Sequence, residues 1–288
     1  MRSEKEMMEL ILHVAVPNER IRAVYMNGSR TNPNVAKDKY RDYDIVYVVT
    51  ETAWFLDNKD WISIFGEPAI IQEPDKNSIA DGEDLDISRS YGWLMLFKDG
   101  NRIDLHIETV CDNYGEDKLT MTLLDKDNIL PQIPPPSDID YHVKKPTEAQ
   151  YASATNNFWW CLQNVAKGIA RDELTYAMNM YMRVVHEKLE SMVAWYIGID
   201  THFSVSVGMW GKHFKKYLPH DLYEMYVKTY SDADYEHLLN AIFAACALFK
   251  LIAPDVGNQL GYTYHIHEEE NMMEYLSKVR SDLIQHPA

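Results

Sequence analysis

Four prolines fall within six residues near the middle of the chain, Pro131 and the run Pro134-Pro135-Pro136. Each fixes φ and lacks an amide hydrogen, so this stretch continues neither a helix nor a central strand. The segment up to Asp140 therefore reads as a linker, and the expected division is 1–135 and 136–288. The hydrophobic periodicity changes across it, which makes two domains of different class the natural reading.

In the first half, the apolar spacing from Ser3 to Val14 suits an amphipathic helix, and Ile21 to Met26 reads as a strand ending at Asn27-Gly28. Tyr43 to Thr50 reads as a second strand. Tyr91 to Phe97 and Arg102 to Val110 read as two more, joined by Lys98-Asp99-Gly100-Asn101, whose Asp-Gly pair is a hairpin signal. Between the second and third of these strands, Glu73 to Asp86 carries six acidic residues and one lysine without apolar periodicity, and is expected to be a solvated loop. In the second half the segments lengthen to helices over Thr147 to Ala170, Glu173 to Ile197, Pro219 to Tyr230, Asp232 to Ile252 and Glu268 to Ile284. The fold class expected is α+β, with a sheet and helices followed by a helical bundle.

With 288 residues and 46% hydrophobic content the chain can bury two cores. The longest apolar stretches, such as Ala241 to Ile252, are short for a bilayer, and the charged start Met1 to Glu9 does not resemble a signal peptide, so a cytoplasmic protein is expected. Cys111, Cys161 and Cys246 are odd in number, far apart and without C-x-x-C spacing, which points to buried reduced thiols rather than disulfides or zinc. The formal charge of −16 repels nucleic acid and draws in polycationic small molecules.

The chemistry concentrates at one constellation. Gly28-Ser29 closes a strand, twelve residues follow, Arg30 to Arg41, and Asp42-Tyr43-Asp44 opens the next strand. Side chains two apart on a strand share a face, so Asp42 and Asp44 present carboxylates about 7 Å apart. Such hard oxygen donors suit magnesium, which keeps waters and adds substrate phosphates to its shell. Gly28 lets the backbone approach a phosphate and Ser29 offers a hydroxyl or amide. Asp104 adds a third carboxylate as metal ligand, general base or both. Ile103, Leu105 and Ile107 alternate with Asp104, His106 and Glu108, so the three polar groups share a face.

The order Gly-Ser, gap, Asp-x-Asp and a later strand Asp resembles the DNA polymerase β nucleotidyltransferase superfamily. Asn27-Gly28-Ser29-Arg30, Asp42-Tyr43-Asp44, Arg102-Ile103-Asp104-Leu105, Asp138-Ile139-Asp140-Tyr141-His142-Val143 and Ser206-Val207-Gly208 resemble the streptomycin (aminoglycoside 6-) adenylyltransferases over nearly the whole chain. Asn27 and Thr31 depart from the commoner Glu and Ala of that pattern. The resemblance implies a catalytic domain with a mixed sheet flanked by helices, a helical substrate-binding domain, and transfer of AMP from ATP to a streptomycin hydroxyl with release of pyrophosphate. It implies that Ser29 contacts the triphosphate, that Asp42, Asp44 and Asp104 form the magnesium-binding acidic centre, and that lysines of the helical domain reach the phosphates. Lys167 and Lys212, beside Gly168 and Gly211, are the candidates for that role. Other acceptors, an antibiotic of another type or a protein hydroxyl, remain open within the superfamily. So does a silent nucleotide-binding protein.

Several residues carry two readings. Arg30 reads equally as a phosphate ligand or as half of a surface ion pair. Glu187 reads as a ligand of the cationic antibiotic or, with more weight, as an ion pair with Arg183 one helical turn back. Trp159, Trp160 and Trp195 lie at helical spacing and read as core before stacking platforms. His265, His267 and Glu268 to Glu270 read as the acidic first turn of a helix before a metal site.

Overall fold

The computed structural model describes residues 1–110 and 117–285. Two compact units result, Met1–Asp140 and Tyr141–Ala288. The proline segment belongs to the first of them, because Ser137 N–H donates to the Lys118 carbonyl at 2.9 Å, Asn34 donates to Asp138 at 2.9 Å and Lys118 pairs with Asp140 at 2.9 Å.

The first unit is a six-stranded mixed sheet with helices α1 (Glu4–Ala15), α2 (Ala53–Asp57) and α3 (Pro74–Ala80). Its strands are β1 (Ile21–Asn27), β2 (Tyr43–Val49), β3 (Pro68–Gln72), β4 (Ser90–Phe97), β5 (Arg102–Thr109) and β6 (Met121–Asp125), in the spatial order β3-β4-β5-β2-β1-β6. All neighbours pair antiparallel except β2 with β5, which run parallel. Ser3 caps α1 in a reciprocal bond with Glu6, satisfying amides that the helix leaves open. Met7, Ile11 and Ala15 of α1 then cover Ile45, Tyr47, Val49, Ile103, Leu105 and Ile107 on one sheet face. The Tyr47 hydroxyl, fully buried there, donates to the Ile11 carbonyl at 2.7 Å and so joins helix to sheet.

The four strands expected from alternation are present, while β3 and β6 were not foreseen. Both are five residues long and lie at sheet edges, and β3 is exposed along its whole length, so no two-residue alternation marks it. The segment Glu73 to Asp86 is no plain loop either. It begins with α3, which has Pro74 in its first turn and buries no residue, so no apolar stripe betrays it. Glu73 is spent on Lys59, Lys76 and the Tyr91 hydroxyl, and Asp75 accepts from Gly92 N–H at 2.8 Å.

The second unit is helical: α4 (Glu148–Ala170), α5 (Leu174–Met180), α6 (His186–Asp200), α7 (Phe214–Tyr217), α8 (His220–Val227), α9 (Tyr235–Leu260) and α10 (Ile266–Gln285). The helix expected over Glu173 to Ile197 is present and continuous from Leu174 to Asp200, but it widens to a π-turn at Tyr181–Val185, where one extra residue rotates the faces on either side. Arg183 and Glu187 are thereby taken off the ordinary four-residue register, and Glu187 pairs instead with Lys188 at 2.8 Å. Helix α9 runs eight residues past Ile252, through Pro254, to Gly261 in the left-handed region at φ 78°. By length and composition α9 would span a bilayer, yet Leu238, Ile242, Ala245, Phe249, Ile252 and Val256 are buried in the helical core, with Cys161 and Cys246 also inside it. Cys111, expected to be a buried thiol, lies outside the described residues. Trp159 is core and donates to Tyr264, whereas Trp160 departs from the core expectation at 63% exposed because it falls on the opposite side of α4.

Phe158 and Phe249 stack at 3.8 Å between α4 and α9, with Trp159 edge-on to both. Phe249→Ala should therefore destabilise the helical unit by about 3–5 kcal/mol, read as a lower urea midpoint at unchanged slope.

Candidate active site

Strand register assembles the site. Asp44 is the second residue of β2, and in the parallel ladder it lies opposite Asp104 of β5 while on its other side it lies opposite Asn27 of β1. Asp44, Val46 and Val48 share one face with Asp104, His106 and Glu108, opposite the face that α1 covers. Asp42 precedes β2 directly. At the end of β1, Gly28 adopts φ 76°, a left-handed conformation that disfavours any side chain, and a Cβ there would collide with the Asp44 carboxylate. Gly28–Arg30 then forms a single 3-10 turn whose amides follow the strand end, with Thr31 hydrogen-bonded to the carbonyls of Gly28 and Leu119.

A cavity of about 320 Å³ opens on this face, lined by Asn27, Gly28, Asp44, Asp104, His106 and Asp117 among others. His106 fits because its partner across the ladder is Gly92, where a Cβ would come within 2.6 Å of the imidazole. Glu108 lies deeper and accepts from the Tyr25 hydroxyl at 2.7 Å, with burial raising its pKa. Asp117 and the Gly92–His106 pair carried no motif signal: Asp117 follows no strand pattern and Gly92 is informative only once its register is known.

Electrostatics single out Asp44. Burial and then the charges of Asp104 and Asp42 push its pKa up to about 6, and burial also raises that of Asp42. Arg102, at the start of β5, opposes this. Its Nε and Nη2 donate to the two oxygens of Asp104 at 2.7 and 2.6 Å, and its Nη1 lies 3.3 Å from Asp42. Among the described residues no three His, Cys, Asp or Glu side chains are gathered as a formed metal site, the His265, His267 and Glu268 to Glu270 cluster included. The donor chemistry nonetheless fits magnesium: Asp42, Asp44 and Asp104 offer hard oxygens that repel one another and need a positive counter-charge.

The remaining sequence candidates separate. The Ser29 hydroxyl, half-buried, has no hydrogen-bond partner among the described residues. Arg30 is engaged by the protein itself: its guanidinium donates to the carbonyls of Arg41 and Asp42, lies 3.5 Å from the centre of the Tyr43 ring and is 5% exposed. The ion-pair reading of Arg30 holds: its carboxylate partner is the exposed Glu4, at 3.3 Å, although the arginine side chain itself is buried. In the helical unit, Lys167 is exposed in the last turn of α4, and the stem of the exposed Lys212 lies over Gly208. Glu187 is 59% exposed, with its ion pair to Lys188.

A mixed sheet that sets a Gly-Ser turn against paired carboxylates on the face away from α1 is the arrangement that the resemblance to nucleotidyltransferases implies. Comparison with known proteins agrees: the sequence pattern of the streptomycin adenylyltransferase family matches residues 1–279. An aminoglycoside 6-adenylyltransferase of Campylobacter jejuni is 36% identical over 273 residues, 94% of this chain and 93% of that one. One of Bacillus subtilis is 35% identical over 93% of this chain and 95% of its own. A crystal structure of an aminoglycoside 6-adenyltransferase from Bacillus subtilis has a TM-score of 0.48 and 30% identity, with 97% of this chain and 99% of that chain covered. The chain belongs to the streptomycin adenylyltransferase family.

A pH test follows from Asp44. Its pKa in the folded protein is about 6 against 3.8 unfolded, so the native state binds the proton more tightly. Native stability attached to this group is complete below pH 3.8 and is lost as pH rises through about 6. Asp44→Asn, without divalent metal, should therefore raise the melting temperature at pH 8, by an amount equivalent to about 1–2 kcal/mol after solvent screening, and leave it near wild type at pH 4.

Proposed function

We propose that the protein transfers AMP from ATP to a hydroxyl of streptomycin, the 6-position by kinship with its named relatives, releases pyrophosphate, and so confers resistance from the cytoplasm. The observation that carries this reading is the placement of Asp44 between Asp104 and the Gly28 turn, in a chain of this family.

The triphosphate would lie along the Gly28-Ser29 turn, where the missing Cβ of Gly28 leaves room for the Asp44 carboxylate beside it and the Ser29 hydroxyl donates to phosphate oxygens. Asp42, Asp44 and Asp104 are the residues that would hold magnesium, which supplies positive charge against the triphosphate. Asp104 orients the acceptor hydroxyl and takes its proton as the new oxygen–phosphorus bond forms and the bond to pyrophosphate breaks. Of the helical unit's cations, the exposed Lys167 and Lys212 would be the phosphate ligands, as the family resemblance implies. Glu187, also exposed, is retained for the cationic antibiotic. Arg30 has no part in phosphate binding and holds the loop beneath it.

Protein incubated with ATP, magnesium and streptomycin should release pyrophosphate and yield the drug heavier by one adenylyl group, detected by mass spectrometry. Asp42→Ala or Asp44→Ala should abolish this. Silence of the wild type with streptomycin but turnover on another acceptor in a panel would move the assignment to that acceptor, and nucleotide binding without any turnover would mark a silent relative. Gly28→Ala, which forces both the backbone and the Asp44 carboxylate to shift, should lower kcat/KM by about 100-fold or more.

A further inference from the structure

Arg102 is the positive group at the heart of an acidic site, and the proposed reaction gives it no task. Its fork occupies both Asp104 oxygens at 2.7 and 2.6 Å and reaches Asp42 at 3.3 Å. Those are two of the three carboxylates proposed for magnesium, and the guanidinium takes one lone pair on each Asp104 oxygen, leaving a hard cation fewer of them and a weaker negative charge to bind. A divalent ion entering beside Arg102 would meet its positive charge as well as its occupied partners. The arginine and the ion therefore compete for Asp104 through like charge and through the lone pairs they share.

The geometry also makes Arg102 removable. It is 41% exposed, whereas Asp104 is 15% exposed. It opens β5 directly after the hairpin turn, so its side chain reaches the site from the solvent edge. An ion pair with one member this exposed loses little when the arginine returns to water. Arg30, at 5% exposed and tied to two carbonyls, has no such freedom.

We propose that Arg102 is a displaceable counter-ion of the acidic centre: it holds Asp42 and Asp104 together without divalent metal, competes with the metal for them, and thereby sets metal affinity. This rests on the assignment of Asp42, Asp44 and Asp104 to metal. Arg102 is a positioning residue in this role, acting through the carboxylates it releases.

The test uses full-length, metal-stripped protein without nucleotide or antibiotic, with Mn²⁺ binding followed by electron paramagnetic resonance and melting temperatures recorded in parallel. Arg102→Met keeps the length of the stem and removes the charge. It should bind Mn²⁺ roughly three- to tenfold more tightly than wild type. It should also melt lower than wild type without metal, and gain more on addition of Mg²⁺. Arg102→Lys, which keeps the charge but cannot occupy both Asp104 oxygens, should fall between the two and serves alone if Arg102→Met does not fold. Unchanged or weaker Mn²⁺ binding in the variants, with wild type binding normally, overturns the proposal and leaves the aspartate assignment standing. Binding to Asp42→Asn/Asp44→Asn equal to wild type, or no binding to wild type, overturns the aspartate assignment itself and the proposal with it.

Discussion

The parallel pairing of β2 with β5 is the constraint on which the site depends, because its register sets Asp44 directly opposite Asp104. Like charges opposed across a ladder destabilise a sheet, and nothing in the main chain compensates for it. The compensation comes from side chains and from a missing one. Arg102 draws Asp104 and Asp42 toward itself, and Gly28 withholds the Cβ that would otherwise occupy the space of the Asp44 carboxylate. An arrangement costly to stability is characteristic of a site kept for binding rather than for folding.

That cost is borne by the opposite face. Each residue that lends a polar group to the site is flanked along its strand by one that enters the core: Tyr43 and Ile45 beside Asp44, Ile103 and Leu105 beside Asp104. The aromatic cluster of Phe55, Trp61, Phe65 and Trp93, mostly edge-to-face, packs beneath β2 and β4, and Tyr47 fastens α1 to it. Register and carboxylate position are thus fixed by apolar burial on the face that does no chemistry, since a one-residue slip would expose that whole set.

How much of this could be read from the sequence follows from the same geometry. The alternation of Ile103, Leu105 and Ile107 with Asp104, His106 and Glu108 gave strand and facing together, because β5 is buried on one side. Strands β3 and β6 lie at the edges and lack that contrast. The π-turn at Tyr181–Val185 adds no residue type of its own, so the shift that separates Arg183 from Glu187 has no local signature. For the arginines, residue type was the misleading guide. Arg30 stands next to the Gly-Ser turn in sequence and points into the protein; Arg102, sixty residues from Asp42, meets it in space through strand pairing.

The contrast between those two arginines also bears on the net charge of −16. Acidity spread over the surface attracts cations at long range whatever their kind, and some of it is already paired, as with Glu73 and its two lysines. What distinguishes the Asp42, Asp44 and Asp104 face is a cluster whose counter-charge, Arg102, is partly in water, beside an arginine, Arg30, whose charge is buried and committed. Burial therefore decides which positive charge is part of the scaffold and which can give way, and the acidic centre can accept a cation without loss of the loop that surrounds it, because Arg30 keeps its hold on the Arg41 and Asp42 carbonyls whatever Arg102 does.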